Sequence, residues 1–245
     1  MLKKLLTPFR TPPEERFSRR MARIARWDRP IGGRLDRAAA WANMLLADHG
    51  IFRLAYLNRH KVGTRLWRSA QPAPGDIARL ARLGVRTVVN LRGGREYGSW
   101  PLEREACERH GITLVDYVVR SRGAPDRDTL LAAPALFETI DYPALIHCKS
   151  GADRAGFVAA LYLLVHEKRP VAEALLQLHP RFGHFRFAKT GILDAFFERY
   201  RDEGEAKGID FITWVGSTYD PEALERDFQP HAFSDFVVDG LLRRE

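Results

Sequence analysis

Short β-branched runs alternate with helical stretches through the middle of this 245-residue chain, and that alternation limits what it can fold into. Residues 64–69 read as a strand, and residues 71–75 as a turn. A helix follows through Ile77, Leu80 and Leu83, with Asp76 as its N-cap and Gly84 as its stop. Val85-Arg86-Thr87-Val88-Val89-Asn90-Leu91 is a buried strand, which Gly93-Gly94 breaks. A helix around residues 102–110 ends at Gly111, and residues 112–119 form the next strand. The loop 120–125 leads into a helix through Leu130, Leu131, Leu136 and Ile140, which Tyr142-Pro143 stops. Residues 144–147 make a short buried strand, and residues 155–167 an apolar helix. Helices over 170–177 and 191–202 complete the pattern. Strands and helices in this order predict an α/β fold, with a mainly parallel central sheet flanked by helices on both faces.

The flanks differ in texture. Residues 1–60 read as a basic helical N-terminal extension, residues 61–205 as the main domain, and residues 206–245 as a tail packed on that domain. Arg19, Arg20, Arg23, Arg26 and Arg29 crowd one stretch, and residues 38–46 form a helix with an apolar face. Two readings fit: a helical layer with solvated arginines, or peripheral contact with an anionic membrane. The first apolar run is broken by Thr7, Pro8 and Arg10 before it reaches signal-peptide length. No run approaches the roughly 18 apolar residues of a spanning helix. The tail carries Trp214, Tyr219, Phe228, Phe233 and Phe236. A formal net charge of +8 favours acidic partners. Nothing has the stacking-aromatic pattern of a nucleic-acid module, so no nucleic-acid partner is expected.

The chain has two cysteines, Cys107 and Cys148. They are too few for a disulfide framework and match no zinc spacing. Reduced thiols in the cytoplasm are the expectation. Cys107 reads as a helix core residue. Cys148 stands where a strand meets a loop of small residues before a helix, in Ile146-His147-Cys148-Lys149-Ser150-Gly151-Ala152-Asp153-Arg154-Ala155-Gly156. At this edge of an open α/β sheet ligands bind. The first turn of a helix leaves N–H groups unpaired, and the helix dipole adds positive charge. With Gly151 in the loop, successive N–H groups can converge into an anion nest suited to phosphate. A thiol there, beside His147 and Arg154, is favoured as the nucleophilic thiolate. The planar fork of Arg154 can hold two phosphoryl oxygens at once. Gly156 permits close helix packing.

The spacing His-Cys-x5-Arg-x-Gly resembles the signature loop of the cysteine-based protein tyrosine and dual-specificity phosphatases. Trp67-Arg68-Ser69-Ala70-Gln71-Pro72 and Thr87-Val88-Val89-Asn90-Leu91-Arg92 are similar to the first strands of compact bacterial and plant-type members, and the likeness covers roughly residues 64–200. The resemblance implies a phosphomonoester hydrolase. Cys148 attacks phosphorus, Arg154 clamps the phosphoryl group, and residues Lys149, Ser150, Gly151, Ala152, Asp153 and Arg154 bind phosphate. Water then hydrolyses the phosphocysteine. No metal or organic cofactor is implied.

Two departures stand out. Position 155 is alanine, where the family usually has serine or threonine to assist the departing thiolate, so slower breakdown of the phosphoenzyme is expected. The general acid is also open. Asp116 lies within a strand, and Asp126 and Asp128 lie where loop meets helix. Either of the latter can instead cap that helix. Asp153 can donate the proton or orient Arg154. Asp126 is the choice among them.

Phosphorylated tyrosine, serine or threonine in proteins is the expected substrate. Lys149, Arg92, Arg95 and Arg122 at one sheet edge suit an inositol phosphate or phosphoinositide as the alternative. A weakly active phosphate-binding module is the other. His166, His179 and His184 show no metal spacing and read as structural.

Overall fold

The computed structural model describes residues 12–229. In chain order the elements are α1 (Pro13–Trp27), α2 (Arg34–Ala42), α3 (Gly50–Ala55), β1 (His60–Val62), β2 (Leu66–Ala70), α4 (Pro74–Arg82) and β3 (Thr87–Asn90). There follow α5 (Ser99–Arg109), β4 (Thr113–Asp116), α6 (Arg127–Thr139), β5 (Ala144–Cys148) and α7 (Asp153–Leu161). The last helices among the described residues are α8 (Val171–Ala174), α9 (Ile192–Glu203), α10 (Phe211–Ser217) and α11 (Pro221–Asp227). Both α2 and α7 run on into a π-turn, at Asn43–Ala47 and Tyr162–His166. None of the described helices is long and apolar enough to cross a membrane.

Contacts divide the chain into two compact units: residues up to 51 together with 94–105, and residues 52–93 together with those from 106 onward. The first is knit by charge. Asp28 accepts from Arg95 at 3.1 Å and from the Trp100 indole at 3.0 Å. Asp36 pairs with Arg26 at 2.7 Å and Arg29 at 2.9 Å. Arg19 pairs with Glu15, and Arg20 with Glu96. Four of the five crowded arginines thus have acidic partners. Phe17 and Met21 on α1 are exposed.

The second unit holds a five-stranded sheet in the order β1-β2-β5-β3-β4. β1 is antiparallel to β2, and the other pairings are parallel. The mainly parallel α/β fold is as expected, while the three-residue β1 was not anticipated. It is too short, and too polar at His60 and Lys61, to present an alternating pattern. Ala70 lies opposite Cys148, and Asn90 opposite both His147 and Asp116, so four strands end on one edge. Strand β4 stops at Asp116, three residues before the expected end.

Helices cover both faces. Ala144, Ile146 and Cys148 pack with Leu130, Phe137, Phe157, Phe196 and Phe197 on one side. Leu145 and Val88 pack with Ile77, Leu80, Ala106 and Cys107 on the other. Cys107 is therefore a buried core thiol on the face opposite Cys148, and both cysteines are free. Phe196 sits within 5.0–5.9 Å, ring centre to ring centre, of Phe157, Phe211, Trp214 and Tyr219. Rings of this size dominate core energetics, and they draw α10 and α11 into the core. Of the tail aromatics, Phe233 and Phe236 lie outside the described residues.

Candidate active site

β5 is buried along its whole length and delivers Cys148, 2% exposed, to the C-terminal edge of the sheet. The loop that follows reverses into α7. Gly151 makes the turn possible. Its φ is +74°, and a Cβ there would sit 2.5 Å from the Ala70 amide nitrogen. Only glycine meets both demands.

The loop carbonyls are tied back one after another. Lys149 O accepts from Gln71 N at 3.4 Å, and Ser150 O from Asn58 Nδ2 at 3.0 Å. Gly151 O and Ala152 O both accept from Arg68 Nη2 at 2.8 Å. In a trans peptide the C=O and the following N–H point in opposite directions. The N–H groups of Ser150, Gly151, Ala152 and Asp153 therefore face away from the scaffold that holds the carbonyls. Successive amides so turned, at the start of α7, make an anion site.

Arg68 underlies this arrangement, and sequence reasoning missed its role. Its guanidinium is fully buried, donates to Gln177 O at 2.6 Å as well as to the loop, and stacks 4.3 Å over Phe182. Burial lowers its pKa to about 10, against the raising influence of the charges on Cys148 and Asp153. It stays cationic at neutral pH and supplies positive charge behind Cys148. Gly156 serves the same contact, since a Cβ there would meet Gln177 O at 2.8 Å and Arg68 Nη2 at 3.0 Å. An arginine between the apolar residues of Leu66-Trp67-Arg68-Ser69-Ala70 was the available signal.

A second support is a buried carboxylate–imidazole–carboxylate bridge. His184 Nδ1 lies 2.7 Å from Asp153 Oδ1, and its Nε2 lies 2.6 Å from Asp194 Oδ2. Burial alone would lower the His184 pKa, but the bonds to the two carboxylates prevail and lift it to about 9. The imidazole is cationic at neutral pH. With Arg68 it balances the two acids, as buried charges require. Asp153 is thus built into the support of the loop.

The other expected acids are held in different ways. Asp126 is exposed, and its side chain caps α6, accepting from Thr129 N at 3.0 Å and Thr129 Oγ1 at 3.1 Å. Asp128 is exposed in the first turn of that helix. Asp116 accepts from Asn90 Nδ2 at 2.9 Å. Lys149, Ser150 and Arg154 are half-buried, while Gly151, Ala152 and Ala155 are buried. Arg154 opens on a cleft of about 410 Å³, shared with Arg120, Arg122 and Glu225. Arg92 bonds to Gln71. Arg95 is held in the first unit by Asp28 and the Trp100 ring. Among the described residues no cluster of three or more His, Cys, Asp or Glu is fit to hold a metal.

Residues 62–184, half of the chain, match the family described as Swiss Army Knife protein, DSP-PTPase phosphatase domain. The chain belongs to the cysteine-based dual-specificity and tyrosine phosphatases. Within that superfamily it is similar to the dual specificity protein phosphatase TpbA of Pseudomonas aeruginosa, with 29% identity over 155 residues, 60% of this chain and 62% of the relative. TpbA from a second strain is 29% identical over 136 residues, covering 53% of each chain. The chain thus spans between about half and three fifths of the length of these curated relatives. Among solved structures, P. aeruginosa TpbA overlaps 70% of this chain and 91% of its own, at 21% identity and a TM-score of 0.49. A cysteine-to-serine form of TpbA in complex with pTyr overlaps 69% and 89%, at 21% identity and a TM-score of 0.45.

Proposed function

We propose that this protein hydrolyses phosphomonoesters through a phosphocysteine intermediate, with phosphorylated proteins as the substrate class. The observation that carries this reading is the tie-back of four consecutive loop carbonyls by Gln71, Asn58 and Arg68, which leaves the following amides for a phosphoryl group. Donors fixed before substrate arrives need no reorganisation in the transition state. Cys148 Sγ attacks phosphorus and forms the S–P bond while the bond to the ester oxygen breaks. Arg154 and the loop amides hold the non-bridging oxygens as charge spreads over them. Water then attacks phosphorus, inorganic phosphate leaves, and the thiolate returns. The name of the similar TpbA proteins, dual specificity protein phosphatase, supports protein substrates.

Arg120, Arg122 and Arg154 on one cleft favour a second reading, an inositol phosphate or phosphoinositide with more than one phosphate. Exposed Phe17 and Met21 on the arginine-rich α1 support peripheral contact with an anionic membrane. The two free cysteines support a reducing, cytoplasmic setting.

The deciding experiment is hydrolysis of p-nitrophenyl phosphate by the full chain. Turnover that Cys148→Ser abolishes and chelators leave untouched supports the enzyme. Phosphate binding without turnover makes the protein a binding module. Phosphopeptides set against inositol phosphates then decide the substrate class.

A further inference from the structure

The expected aspartates leave the proton donor unassigned, because each has other work. Asp153 is bridged to His184, Asp126 caps α6, and Asp116 is bonded to Asn90. Asp128 is exposed in the α6 first turn. Neither Asp126 nor Asp128 lines the cleft on which Arg154 opens. Among the described residues that line it, Glu225 is the one carboxylate, facing Arg120, Arg122 and Arg154.

Glu225 is fixed there by α11. Asp220 caps α11, accepting from Ala223 N at 3.0 Å. The helix anchors through buried Leu224 and, just before its start, fully buried Tyr219. Three bonds then fasten it to the segment after β4. Ala124 N donates to Glu225 Oε1 at 3.0 Å, and the Tyr219 hydroxyl donates to Pro125 O at 2.8 Å. Arg127 donates to Tyr219 O. Gly123 leaves room for the carboxylate, since a Cβ there would already stand 3.0 Å from Glu225 Oε1. Oε1 is occupied by the backbone amide, so the other oxygen is the one available to carry a proton into the cleft.

We infer that Glu225 is the catalytic acid that protonates the leaving oxygen, supplied from α11 rather than by an aspartate before the signature loop. The inference rests on the phosphocysteine reading above. As Cys148 Sγ bonds to phosphorus, the P–O bond breaks and the departing oxygen takes the proton of the Glu225 carboxyl. The carboxylate so formed then accepts a proton from the water that attacks the phosphocysteine, and the acid is restored. A positioned acid of this kind contributes about 10²–10⁴-fold, and most where the leaving oxygen is basic.

The test uses the full chain, a series of aryl phosphates from p-nitrophenyl to phenyl phosphate, and the variants Glu225→Gln, Asp126→Asn and Cys148→Ser. Glutamine keeps the acceptor for Ala124 N, and a thermal melt together with vanadate affinity reports that fold and anion site persist. The expected result is a loss of about 100-fold or more in kcat/KM on phenyl phosphate and about tenfold or less on p-nitrophenyl phosphate. The wild-type alkaline limb of kcat/KM should also vanish in Glu225→Gln. Equal losses on both substrates, an unchanged pH profile, or the leaving-group effect appearing in Asp126→Asn would overturn the assignment. Wild-type turnover that survives Cys148→Ser, or is absent altogether, would instead remove the phosphocysteine reading, and this inference with it.

Discussion

Asp153 Oδ1 and His184 Nδ1 stand 2.7 Å apart in the core, directly beneath the start of α7. The residue before the signature arginine is thereby anchored to a histidine 31 positions later, which Asp194 holds from its other side at 2.6 Å.

This bridge should make stability depend on pH in an alkaline window. The folded His184 pKa is raised from 6.5 to about 9. A raised histidine pKa stabilises fully below about 6.5, and the gain is lost as pH climbs through about 9. That rise corresponds to about 3 kcal/mol. Urea midpoints measured from about pH 6.5 to 10 should fall across this range, and His184→Gln should flatten the slope. A wild-type midpoint that stays level would remove the cationic bridge.

Arg68 should be as costly to lose as a core residue. Its fork holds Gly151 O, Ala152 O and Gln177 O at once. Arg68→Met leaves buried carbonyls without this donor and should cost about 3–5 kcal/mol. Arg68→Lys retains the charge but cannot span three acceptors. It should melt closer to wild type yet bind vanadate roughly tenfold more weakly or worse. Equal vanadate affinity in Arg68→Lys would show that charge alone, not the fork, sets the loop.

Gly151→Ala tests the turn itself. The left-handed φ and the 2.5 Å approach to Ala70 N should together cost about 2–4 kcal/mol. Activity should fall further than stability, because the displaced loop carries the amides. A variant that melts like wild type and turns over normally would refute the close approach.

What the sequence revealed followed from locality. β5, its loop and α7 are contiguous, so Cys148, Gly151 and Arg154 could be read as one unit. The supports could not. Arg68 reaches Gln177 across 109 positions and Asn58 reaches Ser150 across 92, and no local pattern encodes such pairs. The cap at Asp126 was legible as an alternative, because Asp126 and Thr129 have cap spacing. Glu225 was not, because only tertiary packing through Tyr219 brings α11 to the segment after β4. Arg95 was read into the sheet-edge cluster, and its partner Asp28 lies 67 positions earlier, a pairing that no local pattern encodes.

Ala155 bears on the second chemical step. It is fully buried one position after Arg154, the proposed phosphate clamp, at the place where the family resemblance implies a hydroxyl. A hydrogen bond to a charged group contributes about 1.5–3 kcal/mol. Without one, the departing thiolate should be worse by roughly tenfold to a hundredfold in rate. Rapid-quench kinetics with p-nitrophenyl phosphate should therefore show a burst of p-nitrophenol equal to the enzyme present, followed by slow turnover. Ala155→Ser adds one oxygen to a packed site, at a cost on the order of 1 kcal/mol in stability. It should raise the slow phase by about tenfold or more while leaving the burst rate within about twofold. Absence of a burst in the wild type would place the slow step at Cys148 attack, and a slow phase unmoved by Ala155→Ser would show that thiolate departure does not depend on this position.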